Sequence, residues 1–313
     1  MLSKSFLKHK QIVIINSLQT KFALENDNLL QTDNQTKKIT KLNLHNVFCI
    51  LFIGHCTLTT NFIKRCKELG ISLIFCNSNF KSYSAIRPFA EGNYLLRQKQ
   101  YLLADKQELE LAKIIINNKI QNQLRLLKNK KIIIKDQDLI TEIVNKAQNS
   151  QELLGIEGNF AKLFFKSYFE PLDWRRRAPR TKEDIPNLLL DIGYTYLFNF
   201  IDNILMLYGF DTYKGFYHKL FFARKSLTCD LIEPFRCIID KQLLKSYNLG
   251  QIDIKDFELD RNQTYYLPFK NSKKYNKIML EAIMENKLDI FETIQSFYRA
   301  ISDPKNKYKQ FKI

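Results

Sequence analysis

One histidine and three acids stand out by type and spacing. In Gly215–Arg236, GFYHKLFFARKSLTCDLIEPFR, His218 is followed fifteen residues later by Glu233, with Asp230 three residues before that glutamate. Imidazole and carboxylate together are ligands that a hard divalent cation accepts. A further carboxylate, Glu157, lies far upstream in Gly155–Asn159, GIEGN. Beside these sits a basic run, WRRRAPRTK at Trp174–Lys182, in which Arg175, Arg176, Arg177, Arg180 and Lys182 accompany a tryptophan. Guanidinium groups fork onto phosphate oxygens, and an indole offers a stacking face. Lys219, Arg224 and Lys225 add positive charge between His218 and the two later acids. Metal-ligand types beside phosphate-binding types point to chemistry on a phosphodiester.

Each group also has a structural reading that spacing leaves open. On a helix, Glu157 falls in or beside the stripe of Leu153, Leu154, Phe160, Ala161 and Phe164. An ionised carboxylate there needs a partner, and either a metal or a basic side chain would serve. His218 lies in an aromatic run, where a histidine is often a satisfied core residue. The sequence DLIE at 230–233 reads as a capping box, with Asp230 as N-cap, Glu233 at N3 and Pro234 in the first turn. If the helix starts near Ser226 instead, the two acids share one face and can reach a common ion. The arginine run can equally be a solvated loop.

Composition bounds the partners. Among 313 residues, 49 are Lys or Arg and 32 are Asp or Glu, a net charge of +17 with an isoelectric point near 9.5. Such a surplus favours phosphate backbones or an anionic membrane surface. With 24 Phe and 15 Tyr, aromatic material for core and for base stacking is plentiful. The six cysteines form no C-x-x-C pair, so reduced cytosolic thiols are expected. A zinc site from His45, Cys49, His55 and Cys56 is the exception to weigh, against the reading of 47–53 as a buried strand. The N-terminal stretch has no apolar signal-peptide core, and the apolar zone at 187–210 is interrupted by Asp191, Asn199, Asp202 and Asn203. A cytosolic protein with no membrane partner is therefore expected.

The elements that must position these groups change in texture along the chain. Short β-branched runs at 10–16, 20–25, 28–32, 39–44, 47–53, 71–76 and 81–86 read as strands, and 57–69 as a helix stopped by Gly70. Arg87-Pro88 marks a boundary. Beyond it, helical periodicity runs through 94–128, 138–148, 149–169, 187–207, 234–247 and 278–301. The expected fold is α+β and multidomain: a small β-rich N-terminal domain at 1–87, a larger all-α domain at 88–302 carrying the candidate site, and a mobile basic tail at 303–313.

Three pieces in order, GIEGN at 155–159, RAPRTKEDIPNLLLDIGYTYL at 177–197, and GFYH followed by DLIEPFR and Asp240, resemble one family: the CRISPR-associated integrase-endonuclease ("Cas-one") that inserts new spacers. The resemblance implies a metal-dependent DNA integrase and endonuclease of CRISPR adaptation, an antiviral defence. It inserts captured fragments into a repeat array by attack of a 3′-hydroxyl on a phosphodiester. It implies Mg²⁺ or Mn²⁺ held by Glu157, His218 and Glu233, with Asp230 alongside. DNA backbone contact is expected from Arg175, Arg176, Arg177, Arg180 and Lys225, and ordering of the site from Asn187 and Tyr194. The implied partners are double-stranded DNA (the captured fragment and the repeat), a homodimer formed by the β-rich domain, and a small Cas-two dimer completing a heterohexamer. The rival is a non-catalytic nucleic-acid-binding scaffold in which the acids serve only structure.

Overall fold

The computed structural model describes residues 11–16, 20–77, 82–88, 93–134, 137–172, 174–218 and 222–313, side chains 137 and 138 excepted. Positions 10 and 81, at the edges of two expected strands, lie outside the described residues, as does Lys219. The β-then-α order holds. Strands β1 (Gln11–Asn16), β2 (Thr20–Glu25), β3 (Asn28–Asp33), β4 (Ile39–Asn43) and β5 (Val47–Ile53) come first. Helix α1 (Thr60–Glu68), β6 (Ser72–Cys76) and β7 (Ser82–Ile86) follow. β2, β3 and β4 form an antiparallel meander, turned at Asn26 and Asp27, which both take positive φ. Asn and Asp tolerate that conformation, which tight hairpins demand.

The second sheet runs β1-β5-β6-β7, with β1, β5 and β6 parallel and β7 antiparallel. All seven residues of β5 are buried, as a continuous β-branched and aromatic run requires at the centre of a covered sheet. Val47, Ile50 and Phe52 face one core with Leu29, Phe62 and Cys66. Phe48, Leu51 and Ile53 belong to the core of the helical region, where the Phe48 ring meets Phe200 edge-on at 5.4 Å.

The helices are α2 (Tyr94–Tyr101), α3 (Asp105–Asn129), α4 (Gln137–Lys146), α5 (Ser150–Tyr168), α6 (Ile185–Tyr208), α7 (Ser226–Ile232), α8 (Arg236–Asn248), α9 (Phe269–Glu285) and α10 (Lys287–Ser302). Two differences from expectation concern local signals. The single helix read over 94–128 is broken between α2 and α3. There Gln107 Oε1 accepts from the Ala104 amide at 3.0 Å, and Asp105 and Glu108 face the positive helix start. The region is also not purely helical: β8 (Glu258–Leu259) and β9 (Tyr265–Tyr266) form a short hairpin.

α6 is the axis. Asp184 caps it by accepting the Asn187 amide at 2.6 Å, Pro186 occupies its first turn, and Gly209 ends it in the left-handed region. It is buried on nearly every side, including Asp202 and Asn203, so it is a core helix. No described helix is long and apolar enough to cross a membrane.

The tail is docked rather than loose. Phe311 is buried with its ring 4.9 Å from Phe235, and its peptide is hydrogen-bonded at both ends to Asn118.

Candidate metal centre and nucleic-acid interface

Glu157 projects from the middle of α5. It lies four residues after buried Leu153 and three before buried Phe160, on the face turned to α3. What it meets there is Lys119, the one lysine of a buried stretch of α3 that also holds Asn118, Asn122 and Gln123. The Lys119 ammonium contacts Glu157 Oε1 and, at 2.6 Å, Glu233 Oε2. An acid from before the arginine run and an acid from after it therefore share one cation.

Glu233 opens a single 3₁₀ turn, Glu233–Phe235, between α7 and α8. It is 5% exposed, and Arg236 Nε donates to its other oxygen at 2.9 Å. Burial alone would raise its pKa. Arg236 and then Lys119 outweigh that and pull the carboxyl down to about 2. Burial likewise works against the Lys119 ammonium, yet Glu233 and Glu157 hold its pKa above the ordinary lysine value. The Tyr217 hydroxyl donates to Glu157 Oε2 at 3.0 Å, and its own pKa is driven up by burial and by that carboxylate.

The helix carrying Asp230 begins at Ser226, so the capping-box reading is replaced. Asp230 sits inside α7, fully buried, and binds the loop that precedes it. Its Oδ2 accepts the amides of Phe216 and Tyr217 at 2.7 and 3.0 Å. Its Oδ1 accepts the His218 amide at 2.8 Å and meets His218 Nδ1 at 2.7 Å. Both oxygens are occupied by this loop, so Asp230 stands behind the histidine rather than alongside Glu233 as a ligand. A carboxylate can only accept, so in the neutral ring Nδ1 carries the proton and Nε2 is the acceptor. Gly215 makes the close approach possible: a Cβ there would lie 2.7 Å from Asp230 Oδ2 and 2.8 Å from the Ser226 carbonyl carbon. The His218 side chain keeps 19% exposure, and its charge when protonated acts on Glu233.

Glu157 and Glu233 therefore meet on Lys119, with His218 near enough for its charge to act on Glu233. As they stand, no three His, Cys, Asp or Glu side chains among the described residues surround a common metal position. The physical reason is Lys119, which answers both carboxylates. The donor set still suits a hard cation. Two carboxylates already face a single positive charge, and an imidazole with its tautomer fixed from behind stands near Glu233. The zinc alternative fares differently. Cys49 is sealed in β5, where burial raises its thiol pKa, and His45 lies 3.6 Å from Asp27.

The basic residues divide. Arg175, Arg176 and Arg180 are exposed, Arg176 pairing with Glu183 at 3.2 Å. Arg177 is turned inward, donating to Asn187 at 2.8 Å and to Asp191 at 2.5 Å. Asn187 anchors the whole run: it also accepts the Ala178 amide and donates to the Arg176 carbonyl and to Asp184. Lys225, expected on DNA, instead donates to buried Asp202 at 2.9 Å, beside Arg87 at 2.7 Å and the Thr228 hydroxyl at 3.1 Å. Its 20% exposure and this partner set it among structural residues. Tyr194 lies under two guanidinium groups, with Arg236 at 4.6 Å and Arg177 at 5.5 Å from its ring, and donates to Asp240. It thus joins the arginine loop to the residue that holds Glu233. Burial pushes Asp240 up to about 7 despite that hydrogen bond.

Sequence reasoning missed Lys119, Tyr217 and Arg236. The signal for Lys119 was present: Asn118, Lys119 and Asn122 interrupt the apolar stripe of Ile115, Ile116, Ile120 and Leu124.

Known proteins resemble this chain over most of its length. The family described as CRISPR associated protein Cas1 matches residues 13–281. A "CRISPR-associated endonuclease Cas1 1" of Thermodesulfovibrio yellowstonii is 28% identical over 288 residues, 86% of this chain and 91% of that protein. In structure the chain is similar to a casposase bound to integration product, with a TM-score of 0.82 at 20% identity over 96% of this chain and 93% of that one. It is also similar to part of a Cas6-RT-Cas1–Cas2 complex, with a TM-score of 0.75 at 22% identity over 97% of this chain and 36% of that one.

Proposed function

Because the chain belongs to the CRISPR-associated Cas1 family, we propose that it is a metal-dependent DNA integrase and endonuclease. The 3′-hydroxyl of a captured fragment attacks a phosphodiester at the edge of a CRISPR repeat, and the new phosphodiester forms as the repeat strand's own 3′-oxygen leaves, the adaptation step of an antiviral defence. The observation that carries this reading is that Glu157 and Glu233 meet on one cation, with His218 acting on Glu233 and Tyr194 linking Arg236 to Arg177 of the arginine loop.

Glu157, His218 and Glu233 are the residues that would hold Mg²⁺ or Mn²⁺. Bound there, the ion supplies charge stabilisation on phosphate oxygens and acidifies the attacking hydroxyl. The chain's own side chains do the rest. Asp230 fixes the imidazole tautomer and its direction. The Tyr217 hydroxyl restrains Glu157. Arg236 orders Glu233, and Tyr194 and Asn187 tie that arrangement to the DNA-facing loop. Arg175, Arg176 and Arg180 hold backbone without reading bases. Lys119, paired with both acids, would hold them facing each other where the ion would bind. With water in place of the hydroxyl, the same site cuts DNA.

The partners in this reading are double-stranded DNA, a second copy through the β-rich domain, and a small Cas2 dimer completing a heterohexamer. The neighbours bound to integration product and assembled with Cas2 support DNA and Cas2 as partners. The test is incubation of the protein with a short 3′-hydroxyl duplex and a supercoiled repeat-bearing plasmid, with and without Mn²⁺ or Mg²⁺. Covalent joining that needs the ion and is lost in Glu157→Gln, His218→Ala and Glu233→Gln is the expected result. Ion-independent binding with no joining would favour the scaffold reading.

A further inference from the structure

The segment Tyr308–Ile313 packs against the Glu233 side of the candidate site and reaches the His218 side through Phe297. On the Glu233 side, Phe311 packs its ring on Phe235, two residues beyond the glutamate, at 4.9 Å. The Phe311 peptide is clasped by Asn118, whose Nδ2 donates to its carbonyl at 2.7 Å and whose Oδ1 accepts its amide at 2.9 Å. Asn122, one turn on, donates to the Phe311 carbonyl at 3.2 Å and to the Pro234 carbonyl at 3.0 Å, and accepts the Ile313 amide at 3.2 Å. One buried side chain thus fastens the segment to the residue next to Glu233. Asn118 and Asn122 also bracket Lys119 on α3.

On the His218 side, the Tyr308 ring lies 6.1 Å from Phe297, which lies 5.9 Å from Phe216. Phe216 begins the three-amide loop that Asp230 grips and that ends in His218. Lys309 anchors the middle, its amide donating to Ser296 at 2.8 Å and its ammonium to Glu292 at 2.6 Å.

We propose that Tyr308–Ile313 is a positioning strap for the site, setting the Glu233 turn through Phe311 and Asn122 and the His218 loop through Tyr308 and Phe297. No residue of the strap touches the reacting atoms; it acts through the two backbones that carry ligands. A short turn such as Glu233–Phe235 has no ladder of its own to fix it. Neighbours that orient ligands commonly control affinity by about ten- to a hundredfold. The inference rests on the metal-binding reading above.

The test is Mn²⁺ binding to the full chain, read by the loss of the free-ion electron paramagnetic resonance signal, without DNA. The wild type, Glu233→Gln, Phe311→Ala, Asn118→Ala and Phe311→Leu are compared at a temperature where circular dichroism shows them folded. Roughly tenfold weaker binding in Phe311→Ala and Asn118→Ala, largely restored in Phe311→Leu, is expected. Asn118→Ala leaves every ring in place, so it decides the matter if Phe311→Ala does not fold. Unchanged Mn²⁺ affinity in the folded variants, whatever their melting temperatures, overturns the strap. A wild type that binds no Mn²⁺ through Glu233 overturns the metal reading itself, and the strap with it.

Discussion

Two charged clusters in the helical region are inversions of each other. Around Lys119, two carboxylates share one ammonium. Around Asp202, two cations, Arg87 and Lys225, share one carboxylate. The Asp202 cluster is closed: its acid is 1% exposed and its second oxygen is taken by Thr228. The Lys119 cluster is partly open. Its two carboxylates, Glu157 and Glu233, face two fixed cations, Lys119 and Arg236, and the His218 ring, held from behind by Asp230, keeps 19% exposure. The amount of buried charge does not mark the functional site. A partly open imidazole beside two paired acids does.

The comparison is most easily broken at Asp202. Removing it strands two partly buried cations, so Asp202→Ala is expected to lose about 3–5 kcal/mol of stability in urea titration. A loss below about 1 kcal/mol would mean that the cluster is not structural.

At the other cluster the cost falls on reaction rather than on folding. Glu157→Gln and His218→Ala are each expected to cut strand joining by roughly 10²–10³-fold while the melting temperature and DNA affinity stay close to wild type. Equal damage to joining and to DNA binding would erase the distinction between the two regions.

Acid and base sharpen the same contrast. Glu233 has its pKa lowered to about 2, so its stabilisation is complete above the ordinary glutamate value and fades as pH falls from there towards 2. Asp240 is raised to about 7, so the folded state holds a proton that the unfolded chain gives up near pH 4. Stability should therefore decline on raising pH from about 4 to 7, on the order of 1–3 kcal/mol, and Asp240→Asn should flatten that slope. Denaturant midpoints across this range decide it.

The smallest effect concerns the basic residues. Arg175→Ala, Arg176→Ala or Arg180→Ala should each lower the slope of log affinity for duplex DNA against log salt by up to about 0.9. Lys225→Ala should lower the melting temperature and leave that slope alone. The reverse result would return Lys225 to the DNA face and remove it from the Asp202 cluster.

What the sequence made legible was order and texture. The unbroken apolar run of β5 could only be a covered central strand, and Asp184, Pro186 and Gly209 are strong end signals for α6. Features that depend on a distant partner were harder to see. α7 starts at Ser226 after Lys225, which makes no side-chain cap, so DLIE looked like the start of a helix that had already begun. Lys119 looked like one more lysine in a lysine-rich chain, because its two acids come from 38 and 114 residues away. The docked tail was concealed by its four lysines at 305–313, although Tyr308 and Phe311 carried the packing signal.

β5 has one further implication. Its alternate side chains serve two different cores, so the seam between the β-rich and helical regions runs through a single strand rather than between separate bodies. Cleaving the chain at Arg87-Pro88 would leave Phe48, Leu51 and Ile53 facing water on one fragment and Phe200 uncovered on the other. The two regions should melt as one cooperative unit, so a disturbance in the strands is felt by the helix that aligns Asn187, Tyr194 and Asp202.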